Sequence, residues 1–190
     1  MKSEKEKMLF GELYNALDPE LSQERLRARL LLKQLNDSRE DQTEERINIL
    51  KELIPNAGEE LWIQPPFYCD YGSNLYLGDK VFFNFNCVVL DVMPVTIGSR
   101  TLMGPNVQLY TATHPMHYRE RASGLESAKP ITIGEDVWLG GSVVVCPGVN
   151  IGSRSVIGAG SVVTKDIPAD VFAAGNPCRV IRSLENQESD

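Results

Sequence analysis

Residues 133–168 read IGEDVW LGGSVV VCPGVN IGSRSV IGAGSV VTKDIP, six hexads in a row without a gap. The first positions are Ile133, Leu139, Val145, Ile151, Ile157 and Val163, all branched aliphatics. The second position is Gly in four of the six, and the fifth is never a large residue. A six-residue period is one short extended segment plus a turn, with the aliphatic side chain pointing inward. A single hexad cannot bury that side chain, so stacking is obligatory. Three hexads make a triangular coil of 18 residues, and coils stack at the inter-strand spacing of about 4.8 Å. Gly at position two is expected to relieve the turn, because it accepts positive φ. Ridge-packed helices and an alternating β-sandwich need periods of about 3.6 and 2, so the period specifies a mainly β fold, a parallel β-solenoid.

Working upstream, the same phase appears in LGDKVF FNFNCV VLDVMP from Leu77. After two extra residues it resumes as IGSRTL MGPNVQ LYTATH from Ile97, giving twelve hexads. Cys69 and Cys87 are 18 residues apart and are expected to sit one above the other as small buried hydrophobes. The repeat breaks at 115–130, PMHYRERASGLESAKP, and restarts at Ile131. Long excursions of this kind inside a compact solenoid are usually functional or disordered, and this one has no obvious partner in its own coil.

Residues 3–54 read as helical. Asp18 is a candidate N-cap with Pro19 at the first helical position. Leu26, Leu30, Leu31 and Leu35 fall at helical spacing, as do Ile47, Leu50, Leu53 and Ile54, and simple helix packing is expected of most of them. PNAG at 55–58 ends that region. The expected organisation is a helical N-terminal segment at 1–58, a solenoid at 59–182 carrying the 115–130 loop, and a polar tail at 183–190.

Hydrophobic residues make up 42% and charged residues 24% of the 190, with a formal net charge of −7. That balance argues against a general nucleic-acid surface, which needs a basic stripe, but leaves room for one anionic ligand held by local cations. No run reaches the length of a membrane span, and the charged start lacks the apolar core of a signal peptide. The four cysteines form no CxxC pair. The expectation is a cytoplasmic protein with reduced thiols.

Both histidines lie in YTATHPMHY at 110–118, as His114 and His117. His114 is the last residue before the repeat breaks, and Pro115 biases it toward extended backbone. A pinned imidazole at a coil edge suits a general base working near neutral pH. The bland alternative is a surface histidine at a turn. Asn84 replaces the usual Gly in FNFNCV, and a turn asparagine is its bland reading.

The hexads resemble a known family when taken with GELY (11–14), CDYG (69–72), NFN (84–86), LDV (90–92), YTATHP (110–115), PGVNIG (147–152), VVTKDIP (162–168) and AAGNPCRVIR (173–182). The chain is similar over roughly residues 5–182 to the maltose and galactoside O-acetyltransferases, with GELY, CDYG and LDV closer to the maltose branch. The resemblance implies a left-handed parallel β-helix, a homotrimer, acetyl-CoA as donor and a small sugar hydroxyl as acceptor.

On that basis His114 is the catalytic base, and Asn84 orients substrate or stabilises the transition state. Asp70, Asp91 and Glu126 bind sugar hydroxyls, since a carboxylate accepts from two vicinal hydroxyls; Glu126 could instead orient His114. Glu12 closes the acceptor site from the helical arm. Gly141 and Ala159 let the pantetheine arm approach the backbone, and Thr164, Lys165, Arg179 and Arg182 meet the phosphates. The family often carries Ser where this chain has Gly141. The cleft is thus expected to have a cationic donor end and an acidic acceptor end.

Three rivals stand beside this reading. A zinc hydratase on the same solenoid wants three histidines around a metal, and the chain has two, so no metal is expected. A non-catalytic sugar-binding scaffold would keep the hexads without needing His114. An acetyl-thiol enzyme would need an activated cysteine, and Cys87 and Cys146 sit in repeat positions with no activating neighbour.

Overall fold

The computed structural model describes residues 2–184. Three helices lead the chain: α1 (Glu4–Leu9), α2 (Pro19–Asp37) and α3 (Thr43–Leu53). The Asp18 side chain accepts from the N–H groups of Glu20 and Leu21, and Pro19 follows it, so α2 starts where the sequence places it. Leu31 and Leu35 are buried together with Leu21, Ala28 and Leu32, whereas Leu26 and Leu30 are 50% and 56% exposed. Helical spacing alone could not tell these two overlapping stripes apart.

The solenoid has three parallel faces. The first carries Ala57, Leu77, Ile97, Ile133 and Ile151. The second carries Ile63, Phe83, Met103, Leu139, Ile157 and Ala173. The third carries Cys69, Val89, Leu109, Val145 and Val163. These inward side chains form one core with Leu31, Leu32 and Leu35 of α2 and Ile49, Leu50 and Leu53 of α3. The helices therefore plug the base of the solenoid. Asn36 of α2 seals the third face's first strand, donating to the Phe67 carbonyl and accepting from the Phe67 N–H, both at 2.9 Å.

The structure corrects several expectations. The 18-residue coil holds only in the C-terminal half, where Ile133 pairs with Ile151 and Val145 with Val163. In the first coils Leu77 pairs with Ile97, and Phe83 with Met103, a rise of 20 residues. The extra pair lengthens the first-face strand, as in Leu75–Leu77 and Val95–Ile97. Cys87 therefore lies over Phe67, and Cys69 over Val89; the two cysteines are not stacked. Solenoid pairing begins at Asn56–Ala57, just before the expected boundary. At the other end Arg179–Ser183 turns back antiparallel along Val171–Ala174, closing the stack and reaching into the expected tail. Residues 185–190 of that tail lie outside the described residues.

Glycine's role also differs. Positive φ falls at hexad position four, at Asp136 (56°), Ser142 (60°) and Arg154 (59°). Gly134 at position two has no positive φ, but a Cβ there would stand 2.5 Å from the Ser153 backbone nitrogen on the next coil. Position two is where neighbouring coils touch. Gly134→Ala should therefore lower stability by about 1–3 kcal/mol, because the coils themselves must separate. Urea unfolding of the variant measures this, and an unchanged midpoint would contradict it.

The 115–130 excursion does have a partner in its own chain. It forms a short helix, α4 (Tyr118–Arg121), then the strand Leu125–Ala128. That strand pairs antiparallel with Ala112–Thr113 and with Tyr14–Asn15 of the N-terminal arm. The tip stays outward, with Met116 93% exposed.

Candidate active site

A cleft of about 440 Å³ opens where the third face turns into the first. Each wall comes from a different element. Asp70 and Tyr71 follow the strand Phe67–Cys69, and Leu90 ends Cys87–Leu90. His114 follows Ala112–Thr113, and Glu126 lies in Leu125–Ala128. Arg25 and Arg29 reach in from α2, and Tyr14 from the arm. His114 is exposed, at the point where the chain leaves the solenoid.

Burial pushes the Asp70 carboxyl up, opposed by Arg25 and Arg29 and reinforced by Glu126. Arg25 donates to the Tyr71 hydroxyl at 2.7 Å and to the Ala16 carbonyl. Burial pushes the Tyr71 phenol up to about 12. Tyr14 is fully buried and donates its hydroxyl to Glu126 Oε2 at 3.0 Å.

Asp91 lies beneath this surface, with no exposed area. Its Oδ1 accepts from the N–H groups of Asp70 and Tyr71 at 2.8 and 2.9 Å, and burial pushes its carboxyl up to about 6. Asp91 thus shapes the turn that carries Asp70, and is not placed among the residues lining the cleft. Its Oδ2 has no partner among the described residues. Glu12 is not brought to the cleft either; it pairs with Lys2. The expected acidic acceptor end is in fact balanced, two carboxylates facing two guanidinium groups. Sequence reasoning missed Arg25 and Arg29, because arginines on a helix read as a solvated face, and it met Tyr14 and Tyr71 only as letters of GELY and CDYG.

The remaining residues divide between edges. Asn84, Gly141 and Ala159 follow second-face strands, at the edge leading to the third face. Gly160 donates to the Gly141 carbonyl at 2.9 Å, so Gly141 and Ala159 sit on adjacent coils. Asn84 Oδ1 accepts from the Phe85 N–H at 2.8 Å, which is turn chemistry. Thr164 and Lys165 follow Val163 on the His114 edge and are exposed. Arg179 and Arg182 lie on the closing strand, where Arg182 stacks over Phe172 at 5.9 Å. His117 caps α4 and its ring lies against Tyr118. Among the described residues no three His, Cys, Asp or Glu side chains converge as a metal set. No helix among them is long and apolar enough to cross a membrane.

Residues 7–58 match the maltose acetyltransferase hexapeptide capping motif, and residues 130–165 match the bacterial transferase hexapeptide (six repeats). The chain is 44% identical to galactoside O-acetyltransferase of Escherichia coli (strain K12), covering 96% of this chain and 90% of that one. The chain belongs to the maltose/galactoside O-acetyltransferase family. A crystal structure of a maltose O-acetyltransferase from Clostridium difficile 630 superposes with a TM-score of 0.96 at 45% identity, covering 97% of this chain and 99% of that one. Galactoside acetyltransferase in complex with coenzyme A superposes with a TM-score of 0.95 at 43% identity, covering 98% and 94%. Family membership makes this chain an acyltransferase of the hexapeptide-repeat, O-acetylating kind.

Proposed function

We propose that the protein transfers the acetyl group of acetyl-CoA directly to a hydroxyl of a small neutral sugar, maltose- or glucose-like, with His114 as general base. The observation that carries this is the exposed His114 imidazole on a cleft whose Asp70 and Glu126 carboxylates can accept from sugar hydroxyls. The balance of those carboxylates by Arg25 and Arg29 suits a neutral acceptor. His114 takes the hydroxyl proton as the oxygen attacks the thioester carbonyl. A backbone N–H or Asn84 stabilises the oxyanion. As the intermediate collapses the C–S bond breaks, and the proton on His114 passes to the departing thiolate. Coenzyme A in the structure of the galactoside relative supports the donor.

The same site is proposed to be completed by a second copy, within a homotrimer. Within one chain Asn84, Gly141 and Ala159 lie on a different edge from His114. The second face also carries an outward apolar ladder, Trp62, Phe82, Leu102, Trp138, Val156 and Phe172 in register. Trp62, Leu102 and Trp138 are 40%, 46% and 53% exposed. An apolar surface of this kind favours self-association. The proposed compartment is the cytoplasm.

Thiol release from acetyl-CoA against maltose, glucose, galactosides and sugar phosphates tests the reading, with the acetylated position read by NMR. Turnover with neutral sugars supports it. Sugar phosphates outperforming their parent sugars would overturn the neutral acceptor, and no turnover with any sugar would overturn the sugar. For the donor, Arg182→Ala and Lys165→Ala should raise the KM for acetyl-CoA and flatten its salt dependence, because exposed cations are screened within about 8–10 Å. The sugar KM should be unchanged; weakened sugar binding instead would contradict these assignments.

A further inference from the structure

We infer that Tyr14 is a positioning residue for the acceptor: its hydroxyl fixes one oxygen of Glu126 so that the other is offered to the sugar. This rests on reading the cleft as the acceptor site. Tyr14 and Glu126 are tied twice. They are Cα partners in the antiparallel ladder between Tyr14–Asn15 and Leu125–Ala128, and the Tyr14 hydroxyl donates to Glu126 Oε2 at 3.0 Å. The other neighbour of Leu125–Ala128 is Ala112–Thr113, the strand that leads into His114. One three-stranded sheet thus joins the N-terminal arm, the excursion that supplies Glu126, and the strand that supplies the base.

The arm is anchored for this task. Tyr14 packs in a small core of its own with Met8 of α1, Leu21 of α2, Tyr71, Val92 and Ala128. A phenol buried this fully needs a partner for its hydroxyl, and burial and the facing Glu126 charge both push its pKa up, keeping it a donor. A carboxylate has about four lone-pair sites. Tyr14 occupies one on Oε2, and Oε1 has no protein partner among the described residues. The groups that compete for Glu126 are the guanidiniums of Arg25 and Arg29, with Asp70, Tyr71 and His114 the other ionisable groups lining the cleft. Arg25 is already committed to Tyr71 and Ala16. Tyr14 holds Glu126 against being drawn onto Arg29, which would remove its oxygens from the acceptor.

The test is a double-variant cycle with Tyr14→Phe and Glu126→Leu, using maltose and glucose as acceptors and thiol release as readout. Tyr14→Phe keeps the ring and removes only the donor. Its sugar KM should rise about tenfold, the scale of one hydrogen bond to a charged group. The KM for acetyl-CoA should stay as it is. Glu126→Leu, which leaves Tyr14 no acceptor at that side chain, should raise the sugar KM by itself, and adding Tyr14→Phe to it should add nothing. A wild-type sugar KM in Tyr14→Phe overturns the proposal. So does an equal further rise in the Glu126→Leu background, because the arm would then act by some other contact. If Tyr14→Phe also lowers the melting temperature, the cycle still decides, since a stability loss appears with or without Glu126. If neither sugar is acetylated by the unaltered enzyme, the acceptor reading fails before any variant is made. If Glu126→Leu leaves the sugar KM unchanged while His114→Ala abolishes turnover, the positioning role fails and the catalytic reading stands.

Discussion

His114→Ala is expected to lower turnover of acetyl-CoA by about two to four orders of magnitude, the usual worth of a general base. The side chain is exposed at the point where the chain leaves the solenoid, and it lines the cleft with Asp70 and Glu126. No inward core position is altered, so melting temperature and oligomeric state should match the unaltered protein. KM values for donor and acceptor should change little, because the imidazole acts on a proton rather than holding either substrate. Steady-state thiol release with the purified variant measures this. Turnover within a few-fold of normal would remove His114 as the base.

Leu139→Ala is expected to cost about 2–5 kcal/mol of folding stability. Leu139 is fully buried, with Met103 on one side and Ile157 on the other in the same stack. The coils on either side are tied to it through Gly104 N–H to the Leu139 carbonyl and Gly140 N–H to the Ile157 carbonyl, both at 2.8 Å. Those ladders keep the backbone from collapsing into the space that the truncation leaves. The matched control is Leu26→Ala on the outward side of α2, half exposed, which should fall within about 0.5 kcal/mol of the parent. Denaturant unfolding of both variants checks the pair. Equal losses would mean that the stack does not carry the core.

Much of the fold was legible because a solenoid is a local code. Each hexad writes its own inward residue and its own turn, and neighbours only repeat it. The hexads mark Ile133, Leu139, Val145, Ile151, Ile157 and Val163 as inward, and all six are buried. Coil length was less legible. Hexad counting shows the two extra residues before Ile97, but only the strand pairing shows that they, like the pair before Leu77, lengthen first-face strands. Position two glycines were recognised, but for the wrong reason. The pattern records only that glycine is preferred there; whether φ or a neighbouring backbone causes the preference depends on the next coil.

The site divides the same way. His114 was visible because it interrupts a period and precedes a proline, both local signals. Asp70 and Glu126 stand out in the sequence as carboxylates near the same coil edge, and the structure brings them to one cleft with His114. Asp91, named with them, turned out to support the Asp70 turn from below. Arg25 and Arg29 have no local mark, and Tyr14 and Tyr71 stand in the sequence only as letters of GELY and CDYG; their place at the cleft arises only when α2 and the arm dock across the solenoid.

By itself the sequence determined the period, the inward aliphatics, the helical start at Asp18–Pro19, and the break at His114, because each rests on contacts between residues close in the chain or one coil apart. Only the tertiary structure decided that the excursion folds back onto the N-terminal arm. It alone joined Tyr14 to Glu126, 112 residues away, and balanced the acidic cleft with two arginines. Those contacts depend on how separate elements are placed in space, and no repeat in the chain encodes that placement.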